Sequence, residues 1–221
     1  MSDDKPILGY WKIRGLASQI RYQLAYLGIE YEMVEYEQGD APDFSRDSWL
    51  NDKYQLGLDF PNLPYFIHGN VRITETAAIH KYIAGMWGPE LLGRDAAERA
   101  HVNMIASIIG DLKGGTTMGC YVDGDRAQIN KIIFDKVPAI VRYLGYKRYL
   151  CSDDQVTWVD FFFAELCDFM QFLTDGQLYK NYPVLKQYFD NIMSLPGLSQ
   201  YWRSDYCMKA PFNNKIAKIN N

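Results

Sequence analysis

The stretch Phe60-Pro61-Asn62-Leu63-Pro64-Tyr65-Phe66-Ile67-His68-Gly69-Asn70-Val71-Arg72-Ile73-Thr74-Glu75-Thr76 concentrates the backbone chemistry of the chain. Two apolar runs flank His68-Gly69-Asn70, which predicts a β-hairpin. Pro64 has no backbone donor and belongs at the start of the first strand. Leu63, just before it, keeps its N–H and C=O free at a strand edge. A cis Leu63–Pro64 bond would hold both pointing outward, where an extended peptide could pair as an added strand. Thr74-Glu75-Thr76 then leads into a helical pattern of Ala77, Ala78, Ile79, Tyr82 and Ile83. A helix start offers free N–H groups and a partial positive charge, a seat for a carboxylate. A free edge beside an anion seat makes a site for a small, extended, anionic peptide.

These groups need elements to position them. Pro6-Ile7-Leu8-Gly9-Tyr10-Trp11 reads as a short buried strand. Arg14-Gly15-Leu16-Ala17 turns into a helix with an Ile20, Gln23, Leu24, Leu27 stripe, closed by Gly28. Tyr31 to Tyr36 alternates as a second strand, giving a βαβ unit with a crossover helix. The hairpin and a helix from Glu75 to about Met86 complete β-α-β-β-α, by fold analogy a thioredoxin-like half. Gly85-Met86-Trp87-Gly88-Pro89 reads as a linker. The expected fold is therefore mixed α+β, with an N-terminal thioredoxin-like domain at residues 1–88 and an all-α domain at 89–221. The helical part runs from Asp95 to Tyr121 and from Arg126 to Tyr146. A third helix opens at Thr157-Trp158-Val159-Asp160, a capping box with Asp in place of Glu. A further helix starts at Asn181-Tyr182-Pro183 and stops at Leu195-Pro196-Gly197. The tail, Ala210 to Asn221, has little apolar content and is expected to fray.

Composition removes several function classes. At 221 residues, one or two domains are expected, and 48% apolar residues allow a sizeable core. A net charge of −4, with a pI near 5.4, argues against nucleic-acid binding. No apolar run approaches the ~20 residues that cross a bilayer. Met1-Ser2-Asp3-Asp4-Lys5 is acidic and lacks an apolar core, so no secretory leader is expected there. Cys120, Cys151, Cys167 and Cys207 are widely spaced, form no metal-ligand pattern and suit a reducing cytosol as free thiols.

Leu58-Asp59-Phe60-Pro61-Asn62-Leu63-Pro64-Tyr65, with Ile7-Leu8-Gly9-Tyr10-Trp11 upstream, resembles the cytosolic glutathione S-transferases of the mu class. Gly39 to Lys53 also fits that class. The matches are densest in the first third, thin out towards Leu198, and fade over the last twenty or so residues. Glutathione is itself a small anionic peptide. The resemblance implies that its thiolate attacks a hydrophobic electrophile such as an aryl halide, epoxide or unsaturated carbonyl, in detoxification. It further implies a cytoplasmic homodimer with no metal and no cofactor beyond glutathione as co-substrate, and no nucleic-acid or membrane partner. The rival from another class is a non-catalytic carrier of hydrophobic ligands on the same fold.

The chemistry turns on ionising a thiol. A thiol with a pKa near ~8.5 is only about 3% thiolate at pH 7; lowering it by about two units makes roughly three quarters of it thiolate. One good hydrogen bond to the charged form supplies a large share of that. The resemblance makes Tyr10 the donor; read alone, it is one of 17 tyrosines and could be a packed strand aromatic. The glutathione seat carries over to Tyr10, Trp11, Trp49, Lys53, Asn62, Leu63, Glu75 and Thr76. Trp49 and Lys53, four apart and so facing one way on a helix turn, donate to the glycyl carboxylate, the alternative being an exposed amphipathic turn. Leu63 pairs with the cysteinyl part, and Thr76 receives the γ-glutamyl carboxylate, caps its helix, or does both. The mu pattern has Gln-Ser where this chain has Glu75-Thr76. Thr keeps the hydroxyl, while Glu75 adds an acceptor for the γ-glutamyl ammonium.

Asp111 matches an aspartate that reaches the partner's glutathione across the dimer; a solvated helix carboxylate is the alternative. Tyr121 matches a second catalytic hydroxyl aimed at the electrophile, or simply packs beside Cys120. Arg46 and Phe60 match dimer contacts, Phe60 as a key entering the partner subunit; a core Phe before Pro61 is the alternative. Gly110, Gly114, Gly115 and Gly119 interrupt a helix interior at roughly 1 kcal/mol each. They are expected to widen the electrophile pocket or to let helices approach closely at the dimer axis, unless they mark a local kink; Gly115→Ala is the change that would separate these. Pro64, Thr157 and Asp160 are structural.

Overall fold

The computed structural model describes residues 4–220. The Met1-Ser2-Asp3 part of the acidic N-terminal reading lies outside them. The first part of the chain forms β1 (Ile7–Trp11), α1 (Ser18–Leu27), β2 (Glu32–Tyr36), a single-turn α2 (Asp47–Leu50), β3 (Tyr65–His68), β4 (Val71–Thr74) and α3 (Thr76–Trp87). This is the expected β-α-β-β-α sequence with one short helix inserted. The sheet order is β2-β1-β3-β4. Strands β1 and β2 are parallel, as a crossover helix requires. The β1–β3 and β3–β4 pairs are antiparallel. Gly28, at φ 67°, closes α1 by donating to the Leu24 and Ala25 carbonyls. Gly9, opposite Tyr65, lets the tyrosine ring lie over the β1 backbone; a Cβ there would overlap the ring.

A 3₁₀ turn at Pro89–Leu92 leads into α4 (Ala96–Val122), α5 (Arg126–Leu144), α6 (Trp158–Leu173), α7 (Gln177–Asn181), α8 (Pro183–Met193) and α9 (Leu198–Arg203). The short α7 and α9 have too few residues to carry a helical period, and the sequence did not reveal them. One buried cluster joins the sheet to α1 and α3. A second joins α4, α5, α6 and α8 around α6, which is apolar nearly all round and buried along most of its length.

Asp160, fully buried in the first turn of α6, carries more than a cap. Its Oδ2 accepts from Thr157 N (2.8 Å) and Thr157 Oγ1 (2.9 Å). Its Oδ1 accepts from Leu150 N (2.8 Å) and Tyr188 Oη (2.8 Å). Burial raises its carboxyl pKa, while the four donors pull it back. The carboxylate therefore ties the α6 cap to the preceding loop and to α8.

The expectation of a frayed tail is wrong. Pro211 and Phe212 accept backbone bonds from Arg14 N (2.8 Å) and Gly15 N (3.1 Å), and Lys218 N donates to Cys120 O (2.8 Å). Phe212 and Ile219 are buried. Arg14 is the anchor. Its guanidinium donates to Glu165 (3.1 and 2.6 Å), pairs with Asp168 (2.7 Å) and lies 4.0 Å over the Phe212 ring. A few apolar side chains suffice because this paired cation sits beneath them.

The glycines of α4 divide by position. The helix is one uninterrupted element, so they mark no break. A Cβ at Gly119 would come 2.6 Å from Ile129 Cγ1, which makes Gly119 the close-approach position against α5. Gly115 faces Ile132 on α5 and does not line the large cavity described below. The pocket alternative therefore fits Gly110 and Gly114, which line the cavity, and not Gly115.

Candidate active site

The end of β1 faces a cavity of about 720 Å³ between the sheet and α4. It gathers Tyr10, Trp11, Trp49, Lys53, Asn62, Leu63 and Tyr121 from distant parts of the chain, together with Arg46. Glu75 and Thr76 line a neighbouring cavity of about 330 Å³ that shares Leu16, Gly110 and Phe162 with the first. Asp111 is exposed on α4 and lines neither.

Tyr10 is buried, and its Oη accepts from Leu16 N at 3.0 Å. The turn that aims this N–H needs Gly15, whose φ is 46° and whose Cβ would stand 2.5 Å from the phenol oxygen. Burial raises the Tyr10 pKa, outweighing the Leu16 N–H, so the hydroxyl stays protonated across the neutral range. Its proton finds no acceptor among the described residues and is available to the cavity. Tyr121 repeats the device from α4. Its Oη accepts from Asn214 N (2.9 Å), and burial raises its pKa too. The cavity thus receives two neutral phenol donors, each with its oxygen held by a backbone N–H. Asn213 and Asn214 of the tail complete the wall. The fading similarity of the tail gave no hint of them.

Trp49 is fixed by an aromatic box, stacked on Tyr65 (6.1 Å) and edge-on to Tyr36 (5.3 Å). Lys53 follows in the same turn, its N–H donating to Trp49 O at 2.9 Å, so both side chains reach the cavity as the spacing predicts. Arg46 adds a second cation there, so this end of the cavity suits a carboxylate.

The Leu63–Pro64 bond is cis. The free position is not a sheet edge, however: β3 lies between β1 and β4. The β1–β3 ladder stops at Gly9↔Tyr65, so Leu63 stands at its end, with no backbone partner among the described residues. Glu75 adopts φ 69°, a conformation uncommon for a side-chain-bearing residue, and leads directly into the first turn of α3.

The bland reading of Phe60 does not hold, because the ring is 81% exposed. Met104 and Ile108 of α4 are also exposed. One further residue on the cavity wall escaped the sequence reading. Lys113 is almost fully buried, with its Nζ 4.1 Å from the Phe169 ring centroid.

Gly114 offers a direct test of the helix–cavity trade. A Cβ there meets nothing within 4 Å. Gly114→Ala is expected to stabilise the fold by about 1 kcal/mol, read as a higher thermal midpoint. It should lower kcat/KM for bulky ligands of this cavity more than for slim ones. A lower midpoint would show that the space is needed for packing.

Among the described residues, no group of three His, Cys, Asp or Glu is placed to hold a metal ion, and no helix is long and apolar enough to cross a membrane. All four cysteines are unpaired.

Comparison with known proteins extends the geometry. The family model for the glutathione S-transferase N-terminal domain matches residues 6–85, and that for the C-terminal domain matches residues 123–205. The chain is 35% identical over 218 residues to glutathione S-transferase Mu 1 of Rattus norvegicus, covering 97% of this chain and 98% of that one. It is 36% identical over 216 residues to the class-mu 26 kDa isozyme 51 of Fasciola hepatica, covering 96% and 94%. Among solved structures, the glutathione S-transferase Blo t 8 aligns with a TM-score of 0.80 at 26% identity, covering 97% of this chain and all of that one.

Proposed function

We propose, from the premise that this chain belongs to the glutathione S-transferase family, with mu-class members among its relatives, that Tyr10 is the group on which its glutathione transferase activity turns. The observation that carries this reading is the buried, protonated Tyr10 hydroxyl, braced by Leu16 N and free to donate into the cavity. Glutathione lies along the sheet-side wall. Its glycyl carboxylate faces Trp49, Lys53 and Arg46, and its cysteinyl backbone pairs with Leu63 beside Asn62 and Trp11. Its γ-glutamyl end turns into the smaller cavity, the carboxylate at Thr76 on the first turn of α3 and the ammonium at Glu75. Donation from Tyr10 holds the sulfur as thiolate. The thiolate attacks the electrophilic carbon, the new C–S bond forms, and the leaving group departs with its electron pair. Tyr121 donates to the negative charge that develops on the acceptor. Residues 1–88 hold the peptide, and residues 89–221 supply the rest of the acceptor pocket. The setting is a cytoplasmic, detoxifying one.

The working unit in this reading is a two-fold homodimer. Phe60, Met104 and Ile108 supply an apolar surface for a second copy, and Asp111 reaches the partner's γ-glutamyl ammonium. Phe60→Ser is expected to raise the dimer dissociation constant about thirtyfold, the loss of one anchoring aromatic, measured by sedimentation equilibrium. An unchanged constant would remove Phe60 from the interface.

The test of the chemistry is an ultraviolet difference titration of the thiolate band of bound glutathione. A midpoint well below that of the free thiol supports thiolate stabilisation. Binding with the free thiol's midpoint would overturn the Tyr10 mechanism and favour a carrier.

A further inference from the structure

The chemistry above leaves one charged group on the cavity wall unused. Lys113 lies on α4 one turn before Thr117, 7% exposed, with Tyr10 and Tyr121 lining the same cavity. An ammonium carries three donors and pays heavily when it leaves water with none of them used. Here the nearby carboxylates are already claimed. Glu165 accepts two bonds from Arg14 and one from Tyr22 Oη, and Asp168 pairs with Arg14. The Lys113 ammonium makes no hydrogen bond or ion pair with the described residues, and the group nearest it across the wall is the Phe169 ring. A ring face attracts the cation but accepts no conventional hydrogen bond, so the donors remain open.

We infer that Lys113 makes this transferase selective for electrophiles that carry a fixed anion, a carboxylate above all. The anion takes the open ammonium donors, which orients the acceptor and sets its reactive carbon towards the thiolate. This inference rests on the cavity being the acceptor pocket. An ammonium–carboxylate bond formed away from bulk water is among the stronger hydrogen bonds, so selectivity is the quantity it should move.

The charge on Lys113 is adjustable within a measurable pH range. Burial pushes its ammonium down to about 8; Glu165 on α6 and Cys120 on α4 act to raise it, and Arg14 after β1 acts to lower it. The Tyr10 and Tyr121 hydroxyls, also facing the cavity, stay neutral in that range because burial raises both. Lys113 is thus a cation at pH 7 and mostly a neutral amine at pH 9.

The experiment compares two acceptors with the same leaving group, 4-chloro-3-nitrobenzoate and its methyl ester, and reads the ratio of their kcat/KM values. Thiol ionisation affects both acceptors and cancels in the ratio, and the carboxylate is ionised throughout. In the native enzyme the acid-to-ester ratio should fall about tenfold between pH 7 and pH 9 as Lys113 loses its proton. Lys113→Met, close in size and uncharged, should lower the ratio about tenfold at pH 7 and flatten its pH dependence. An unchanged ratio in Lys113→Met, with the ester still conjugated, would overturn the role of Lys113 and leave the transferase mechanism standing. Failure of the native enzyme to conjugate either acceptor would overturn the pocket assignment and this inference with it. Lys113→Gln, also uncharged, keeps the test decisive if Lys113→Met does not fold.

Discussion

Tyr10→Phe should raise the thiol midpoint of bound glutathione by about two pH units and lower kcat/KM at pH 7 about twenty-five-fold, the ratio of the two thiolate fractions. The ring is buried, and Phe keeps its shape, so the change removes one hydroxyl and little else. Gly15 and the Leu16 N–H exist to set that hydroxyl, the glycine by its conformation and the amide by bracing the oxygen at 3.0 Å. With the hydroxyl gone, the sulfur must ionise against the low polarity of the cavity without its donor. The sign of the pH dependence follows. The fold deficit is largest below the native midpoint, and it shrinks as pH rises through 7 and the variant's thiol ionises unaided. The thiolate band measures the first effect directly, and a pH–rate series measures the second. A variant whose midpoint matches the native one would assign the ionisation to another donor, with Tyr121 the next to test.

Asp160→Ala should cost about 4 kcal/mol of stability without touching the cavity. The carboxylate accepts four bonds, two on each oxygen, from Thr157, Leu150 and Tyr188. Truncation strands two buried backbone N–H groups and a buried phenol, each costing roughly 1–3 kcal/mol unless water reaches it. It also opens the start of α6, around which the helical core is assembled. Such a loss is a large part of the ~5–15 kcal/mol that holds a typical domain together. The measurement is a urea midpoint at fixed protein concentration, since dimerisation would shift apparent stability. A loss below about 1 kcal/mol would mean that the loop before α6 and the α8 contact hold without this carboxylate.

Much of the sheet-bearing part of the chain was legible because its signals are local. The hairpin turn, the strand-starting proline, the Gly28 helix stop and the four-residue spacing of Trp49 and Lys53 are decided by neighbours within a few residues. The same holds for the Thr157–Asp160 cap, whose spacing alone reports it. Where the local reading went astray, the missing information was spatial. Leu63 looks like a strand edge in one dimension, but β4 occupies the outer position and only the end of the ladder is open. Gly115 and Gly114 are adjacent in sequence yet face different surfaces of α4.

By itself the sequence determined the order of elements and the helical second half, and through its resemblance it singled out Tyr10 and the start of α3 as the positions to examine. Only the tertiary structure decided what each of these groups touches. Arg14 meets Glu165 across 151 positions and Lys209 across 195, and Asn214 braces Tyr121 across 93. Periodicity and capping rules reach only a turn or two along the chain, so a tail packed by one buried cation leaves no signature in its own composition. Lys113 has the same origin. On a helix wheel it is one more charged residue, and only the tertiary structure encloses it on the cavity wall against the Phe169 ring.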